Sequence, residues 1–249
     1  MLNEEISRKL GLERGDFYIT APSPCPYLDG MSERKIFSYL EGDAASATNS
    51  MLSQRGFRRS QNIIYLPACE GCQACVPVRI VAEAFKLTRS RRRLVSKNKR
   101  IERRVRAPRA TSEQFSVLRA YLDARHAGGG MADMTVLDYA SMIEETAVDT
   151  IVIEYWTTDD DPRLVACALT DRLIDGLSMV YSFFDPELSA QSLGQYMILD
   201  HVAFARQLGL PFVYLGYWVA GSDKMAYKQN FQPLEKLTQS GWARMDARP

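Results

Sequence analysis

Five cysteines, two histidines and one dense run of arginine and lysine carry most of the chemistry that this 249-residue sequence offers. Cys69-Glu-Gly-Cys72-Gln-Ala-Cys75 is a double Cys-x-x-Cys. That spacing lets two or three thiolates converge on one soft metal. Cys25, within Pro24-Cys-Pro26-Tyr, is an upstream fourth candidate. The candidate occupant of Cys25, Cys69, Cys72 and Cys75 is zinc or an iron–sulfur cluster; packing or redox-sensitive thiols are the alternative. Cys167 lies in an apolar run and is expected to be a buried filler. With only His126 and His201, no Ser–His–Asp or Cys–His nucleophilic arrangement is signalled.

The basic run hides inside a net charge of +1. Residues 86–109 hold twelve basic residues, among them Arg91, Arg92, Arg93, Lys97 and Arg100, against the single acid Glu102. The segment is therefore +11 and the rest of the chain, with 19 basic and 29 acidic residues, is −10. A segment of that density can neutralise several phosphates and release their counterions. A solvated helix face would mix signs to gain i,i+4 pairs. The other alternative is a block that neutralises the acidic body from within. No large apolar residues accompany the charges, so a membrane surface is not the expected partner. The uncharged stretch Leu208–Ser222 is too short for a span and is interrupted by Gly and Pro. An odd number of cysteines with no signal-peptide pattern at the first residues points to a reducing cytoplasm.

The elements that must position these groups can be read in outline. Up to about residue 85 the chain is punctuated by proline, with short β-type runs at Phe17–Thr20, Asn62–Leu66 and Val76–Val81. Ser32–Leu40 has a helical pattern, with Ile36, Phe37 and Leu40 on one side, and Leu94, Ile101 and Val105 recur so that Arg91–Arg106 reads as one basic helix. Thr111-Ser-Glu-Gln opens a capped helix that Gly128–Gly130 closes. Strands follow at Thr150–Thr157, Leu164–Thr170 and Leu177–Phe184, then a helix at Ser192–Leu208 and a buried strand at Pro211–Gly216. This order implies an antiparallel meander, a crossover helix and an added parallel strand. The expected fold is α+β, with a GNAT-like acyltransferase half over residues 108–249. A smaller Cys-containing region with the basic segment, residues 1–107, packs on it.

Several motifs occur together. Cys25-Pro-Tyr-Leu28, Gly56-Phe-Arg-Arg-Ser60, Tyr65-Leu-Pro-Ala-Cys69, Cys72-x-x-Cys75-Val-Pro-Val-Arg79-Ile and Ser90-Arg-Arg-Arg93 mark the first half. Tyr181-Ser-Phe-Phe-Asp185-Pro, Ser192-Leu-Gly194, Gly209-Leu-Pro-Phe-Val-Tyr-Leu-Gly-Tyr217-Trp218 and Lys224-Met-x-Tyr227-Lys228 mark the second. In this combination the sequence resembles the aminoacyl-tRNA–protein transferases of the N-end rule pathway over nearly its whole length. Its compact form resembles their bacterial aspartate/glutamate leucyltransferase branch. The resemblance implies transfer of leucine from Leu-tRNA to the α-amino group of proteins that begin with Asp or Glu, marking them for degradation, with no cofactor required for the transfer.

Such a reaction makes definite demands. An α-amine with a pKa of about 7.7–8.0 is already partly neutral at cytoplasmic pH. The tRNA ester is an activated acyl donor. Alignment and donors to the oxyanion then suffice without a covalent intermediate. The acidic N-terminal residue needs a cation, for which Arg58, Arg59, Arg79, Lys224 and Lys228 are candidates. The departing proton needs an acceptor or relay, here Asp185 with Tyr181. The terminal adenosine needs a stacking surface such as Tyr214, Tyr217 or Trp218, and the polyanionic donor needs Arg91, Arg92, Arg93, Lys97 and Arg100. An arginyl donor, a CoA-dependent N-acetyltransferase and a non-catalytic RNA-binding protein are the competing readings. Gln191-Ser-Leu-Gly194-Gln-Tyr196 argues against the CoA enzyme, because Tyr196 stands where a small residue allows pyrophosphate to approach.

Overall fold

The computed structural model describes residues 17–125 and 131–247. His126 and the Gly128–Gly130 helix stop lie outside the described residues. Eight strands form one mixed sheet in the order β14-β13-β7-β12-β11-β10-β9-β8. Its centre is the meander expected from the sequence: β9 (Thr150–Thr157), β10 (Leu164–Leu173) and β11 (Gly176–Phe184), each antiparallel to the next. Their near-continuous apolar runs suit a sheet covered on both faces. Helix α5 (Leu193–Gln207) crosses over and returns the chain as β12 (Phe212–Val219), parallel to β11.

Two helical layers cover this sheet. On one face α5 packs with Leu94 of α2 (Arg89–Lys97), Phe85 and Phe231 against Val78, Ile80, Ile153, Leu177 and Val213. On the other, α3 (Ser112–Arg125) and α4 (Val136–Glu144) bury Leu118, Leu122, Tyr139 and Ile143 against Val152, Cys167, Leu169 and Phe183. Thr111 caps α3 as expected: its Oγ1 accepts from the Gln114 N–H, and the Gln114 side chain accepts from the Thr111 N–H, each at 3.2 Å.

The chain before residue 107 contributes a strand to each side of this sheet. β7 (Cys75–Val81) lies between β12 and β13 (Leu234–Thr238), and β14 (Gly241–Met245) forms that edge. β8 (Ile101–Arg106) forms the other edge against β9. Strands from either side of residue 107 thus share one sheet. The single basic helix expected over Arg91–Arg106 is instead α2 followed by β8. Asn98 breaks it: its buried side-chain amide donates to the Leu94 and Gln191 carbonyls. The backbone beyond pairs with the otherwise open edge of β9, which a helix would leave unsatisfied.

A second sheet of four strands, in the order β1 (Tyr18–Ile19), β4 (Lys35–Tyr39), β6 (Ile63–Pro67) and β5 (Arg58–Ser60), carries the helix α1 (Ala45–Gln54). Here the helix expected over Ser32–Leu40 is β3 (Ser32–Glu33) and β4 (Lys35–Tyr39). Ile36, Phe37 and Leu40 fit either period, and pairing with β6 (Ile63–Pro67) decides for the strand. Ile36 packs on the small core of Phe17, Leu40, Leu52, Phe57 and Ile64. The two sheets are joined by a buried ion pair. Arg59, on β5 (Arg58–Ser60), donates through Nε and Nη2 to both Asp171 carboxylate oxygens at 2.6 Å, with both side chains 1% exposed. Trp242 adds a hydrogen bond to the Gln54 carbonyl at 2.9 Å.

Candidate functional site

The parallel strands at the centre of the large sheet do not stay together. β11 and β12 pair only at Gly176–Phe212, Leu177–Val213 and Ser178–Tyr214, although both run on to Phe184 and Val219. Each strand is irregular where they separate: β10 and β11 shift register after Leu169, and β12 and β7 between Tyr214 and Gly216. Such irregularities bend strands and end pairing. The result is a fork beside the crossover helix, the place where open parallel sheets take ligands.

Arg58 reaches into this fork from β5. Its Nη1 donates to Ser178 Oγ at 3.0 Å and its Nη2 to the Met179 carbonyl. Gly216 has φ +78°, and a Cβ there would meet Arg58 Nε at 3.0 Å, so the absent side chain is what lets the guanidinium lie across β12. Lys228 closes the fork from the 3₁₀ turn after α6 (Asp223–Ala226). It is buried, and its Nζ donates to the Tyr217 carbonyl at 2.6 Å. Burial, and after it the Arg58 charge, push this amine down to about 7. Neither cation has a carboxylate partner among the described residues.

The other expected acceptor-binding residues are placed differently. Arg59 is consumed by Asp171. Arg79 lies at the closed end of the strand pair, its guanidinium 3.5 Å from the Phe212 ring centre and 4.2 Å from that of Trp242. There it donates to Glu235 at 2.8 Å and to the Tyr214 hydroxyl at 3.0 Å. Tyr214 is therefore taken up as well; its hydroxyl donates to Asp175. Tyr217 is buried against Tyr65, donating to the Gly56 and Tyr65 carbonyls at 3.0 and 3.3 Å. Lys224 is exposed on α6.

Tyr181 sits on β11 with its hydroxyl pushed up to about 12 by burial and then by Tyr121, so near neutral pH it is a donor. Asp185 ends the same strand. One carboxylate oxygen accepts from the Glu187 N–H at 2.9 Å and caps the 3₁₀ turn Pro186–Gln191. That turn leads through Ser192 (φ 51°) into α5, where a Cβ added at Gly194 would meet the Phe184 ring at 3.2 Å. Tyr196 fills the next turn against Tyr155.

The basic segment divides into two sets. Arg91 stands over the Phe85 and Phe231 rings and donates to the Asn230 carbonyl. Arg92 donates to the Leu87 carbonyl at 2.7 Å, and Lys97 to the Ala190 carbonyl at 2.6 Å. Arg103 binds Asp200 and Gln207. Arg89, Arg93 and Arg100 are exposed with no side-chain partner among the described residues. The structure thus docks the helix through some of its cations and leaves others outward.

The four upstream cysteines gather around the β7 end of the site. All are free and half-buried, and the Cys75 thiol is pushed up to about 11 by burial and then by Cys25, Cys69 and Cys72. Among the described residues, however, no three His, Cys, Asp or Glu side chains are placed to hold a metal ion. Cys167 is buried in the sheet, as expected. Sequence reading missed Ser178, Gly216 and Tyr65 as parts of the site. The only signal was a glycine inside an otherwise apolar strand, which marks close backbone approach.

A family model described as arginine-tRNA-protein transferase, C terminus, matches residues 113–238, and its N-terminus counterpart matches residues 23–93. The chain is 56% identical over 235 residues to the aspartate/glutamate leucyltransferase of Afipia carboxidovorans, covering 93% of each. It is 56% identical to those of Nitrobacter winogradskyi (93% of this chain, 92% of the relative) and Brucella suis (92% and 96%). The protein belongs to the family of aminoacyl-tRNA–protein transferases.

Proposed function

We propose that the protein transfers leucine from the 3′ ester of Leu-tRNA to the α-amino group of polypeptides that begin with Asp or Glu, in the cytoplasm, as the leucine mark of the N-end rule pathway. The observation that carries the reading is the pair Arg58 and Lys228, two cations in the fork without a counter-ion among the described residues. A carboxylate entering there pairs with the Arg58 fork and restores charge to Lys228. An acceptor lacking it leaves both uncompensated, which is the basis of selectivity for an acidic first residue.

The meander, crossover helix and diverging parallel strand are those of a GNAT-like transferase, with the Cys-containing region packed on it. In this frame the acceptor amine attacks the ester carbonyl. The new C–N bond forms, the bond to the adenosine 3′ oxygen breaks, and the proton shed by nitrogen ends on that oxygen. Tyr181, a donor at neutral pH, stabilises developing negative charge. Asp185, with its second carboxylate oxygen beyond the cap bond, relays the proton. The outward cations Arg89, Arg93 and Arg100 meet the donor's phosphates. Tyr196, packed on Tyr155, occupies the space that a CoA pyrophosphate would need.

Radiolabelled Leu-tRNA incubated with peptides beginning with Asp, Glu or Ala tests the reading. Label is expected on the first two only; no label on acidic peptides overturns it. Arg-tRNA in parallel tests the arginyl donor, which the name of the matching family model favours.

A further inference from the structure

The four-stranded sheet carries a row that points at the fork. Tyr18 is the direct partner of Phe37, Phe37 of Tyr65, and Tyr65 of Arg58. Directly opposed residues of antiparallel strands project from the same face. One line of side chains therefore crosses β1 (Tyr18–Ile19), β4, β6 and β5 and ends on the guanidinium in the fork. The outer rings form a contiguous aromatic surface: Tyr18 and Phe37 stack at 5.5 Å, and Tyr39 meets each at 5.9 Å. Tyr18 and Tyr39 are 46% and 51% exposed. The inner end continues through Tyr65 to Tyr217 on β12, 6.4 Å away.

Charge identifies what this surface takes. Every cation on the four strands already has a protein partner: Lys35 pairs with Glu33 at 2.7 Å, Arg59 with Asp171, and Arg58 is turned into the fork. Outside the fork the row thus offers no unpaired cation to a run of phosphates, which a nucleic-acid track requires; Arg58 at its inner end is a single site for one anion. Its position agrees. Arg59, Asp171 and Tyr217 place the small sheet on the α3–α4 side of the large sheet, since Asp171 follows Leu169 at the two-residue strand period. The basic helix α2 is docked with α5 on the opposite side. The fork is the opening between a polyanion face and an aromatic face whose one lysine, Lys35, lies 5.4 Å from the Tyr65 ring centre and is paired with Glu33.

We propose that the Tyr18–Phe37–Tyr65 row, with Tyr39, is the track on which the residues following the acidic N-terminus of the acceptor polypeptide lie. This inference rests on the leucyl-transfer reading. At about 4.8 Å between strands the row spans roughly 14 Å, the length of about four extended residues. Aromatic faces select apolar side chains at those positions without demanding one sequence.

Acceptor peptides beginning with Glu, of two, four and six residues and apolar after the first, test this at saturating Leu-tRNA. A six-residue peptide of Gly and Ser after Glu is the control. The KM is expected to fall roughly tenfold from two to six residues, and the Gly/Ser peptide to behave like the dipeptide. The double variant Tyr18→Ser, Tyr39→Ser, at two exposed positions, is expected to raise the KM of the apolar hexapeptide to the dipeptide level. It should leave dipeptide kcat/KM and Leu-tRNA affinity unchanged. A KM independent of length overturns the track, and so does a folded double variant with unaltered KM. A loss of Leu-tRNA affinity in that variant overturns it in favour of RNA stacking. Failure to leucylate any acidic peptide overturns the transfer reading and this inference with it, whereas transfer without length dependence overturns the inference alone.

Discussion

Arg58 and Arg79 are arginines on strands that flank the same parallel pair, and their surroundings are opposite. Arg79, at the closed end, has Glu235 at 2.8 Å, Asp175 at 3.8 Å and aromatic faces around it. Arg58, where the strands separate, has among the described residues only a serine hydroxyl and a main-chain carbonyl. Removing a buried charge from its counter-ion is costly, so a compensated arginine is a structural part. An uncompensated one holds a standing attraction for an anion that the protein does not supply. Arg79 is buried and Arg58 half-buried, so it is the presence of a carboxylate, not deeper burial, that sets them apart in role.

The largest effect should come from Arg79→Ala. It strands Glu235 and Asp175 and opens the aromatic nest, and chemical denaturation should show a loss of about 3–5 kcal/mol. The kcat/KM of the remaining folded enzyme should be unchanged; a selective rise in acceptor KM would move Arg79 into the site. Arg58→Ala inverts that pattern. With neutral partners only, its stability cost should stay near 1 kcal/mol. The KM for Glu-initiated acceptors should rise on the order of a hundredfold, equivalent to about 2.7 kcal/mol. Gly216→Ala, which crowds Arg58 on a left-handed backbone, should reproduce the KM effect in part.

Lys228 sharpens the contrast through pH. The unfolded chain keeps lysine protonated up to its ordinary value of 10.5, whereas the folded one releases the proton near 7. Between these values the unfolded state binds more protons, so stability should rise with pH across that window and be flat below it. Melting temperature measured from pH 7 to 8.5 should climb in the parent protein and stay level in Lys228→Met. A parallel climb in the variant would assign the slope elsewhere. The smallest effect concerns the basic segment. Arg89→Glu, Arg93→Glu and Arg100→Glu together should lower the salt slope of Leu-tRNA binding by about one per residue. Arg103→Ala, which frees Asp200, should cost stability and leave the slope intact.

Much of the frame was legible beforehand. The apolar runs of β9, β10 and β11 and the capped pattern of α3 specify their elements locally, and the order of elements predicts the crossover. The errors fell where local pattern was degenerate. Ile36, Phe37 and Leu40 satisfy a helix or a strand, and pairing with β6 settled the matter. The repeat of Leu94, Ile101 and Val105 suggested one helix, but the open edge of β9 drew the second half into the sheet. Within the site, Arg58 was one of five equivalent cations. Its partners Ser178 and Met179 lie 120 and 121 positions away, and no local spacing announces them.

The sequence by itself determined the separation of a +11 segment from a −10 body, the order of strands around the crossover and membership of a tRNA-dependent transferase family. These are properties of composition and of near neighbours along the chain. Only the tertiary structure decided which cations remain available. Compensation of a charge depends on what lies within a few ångströms, and folding brought Asp171 to Arg59 and Glu235 to Arg79 while leaving Arg58 and Lys228 at a fork with none among the described residues.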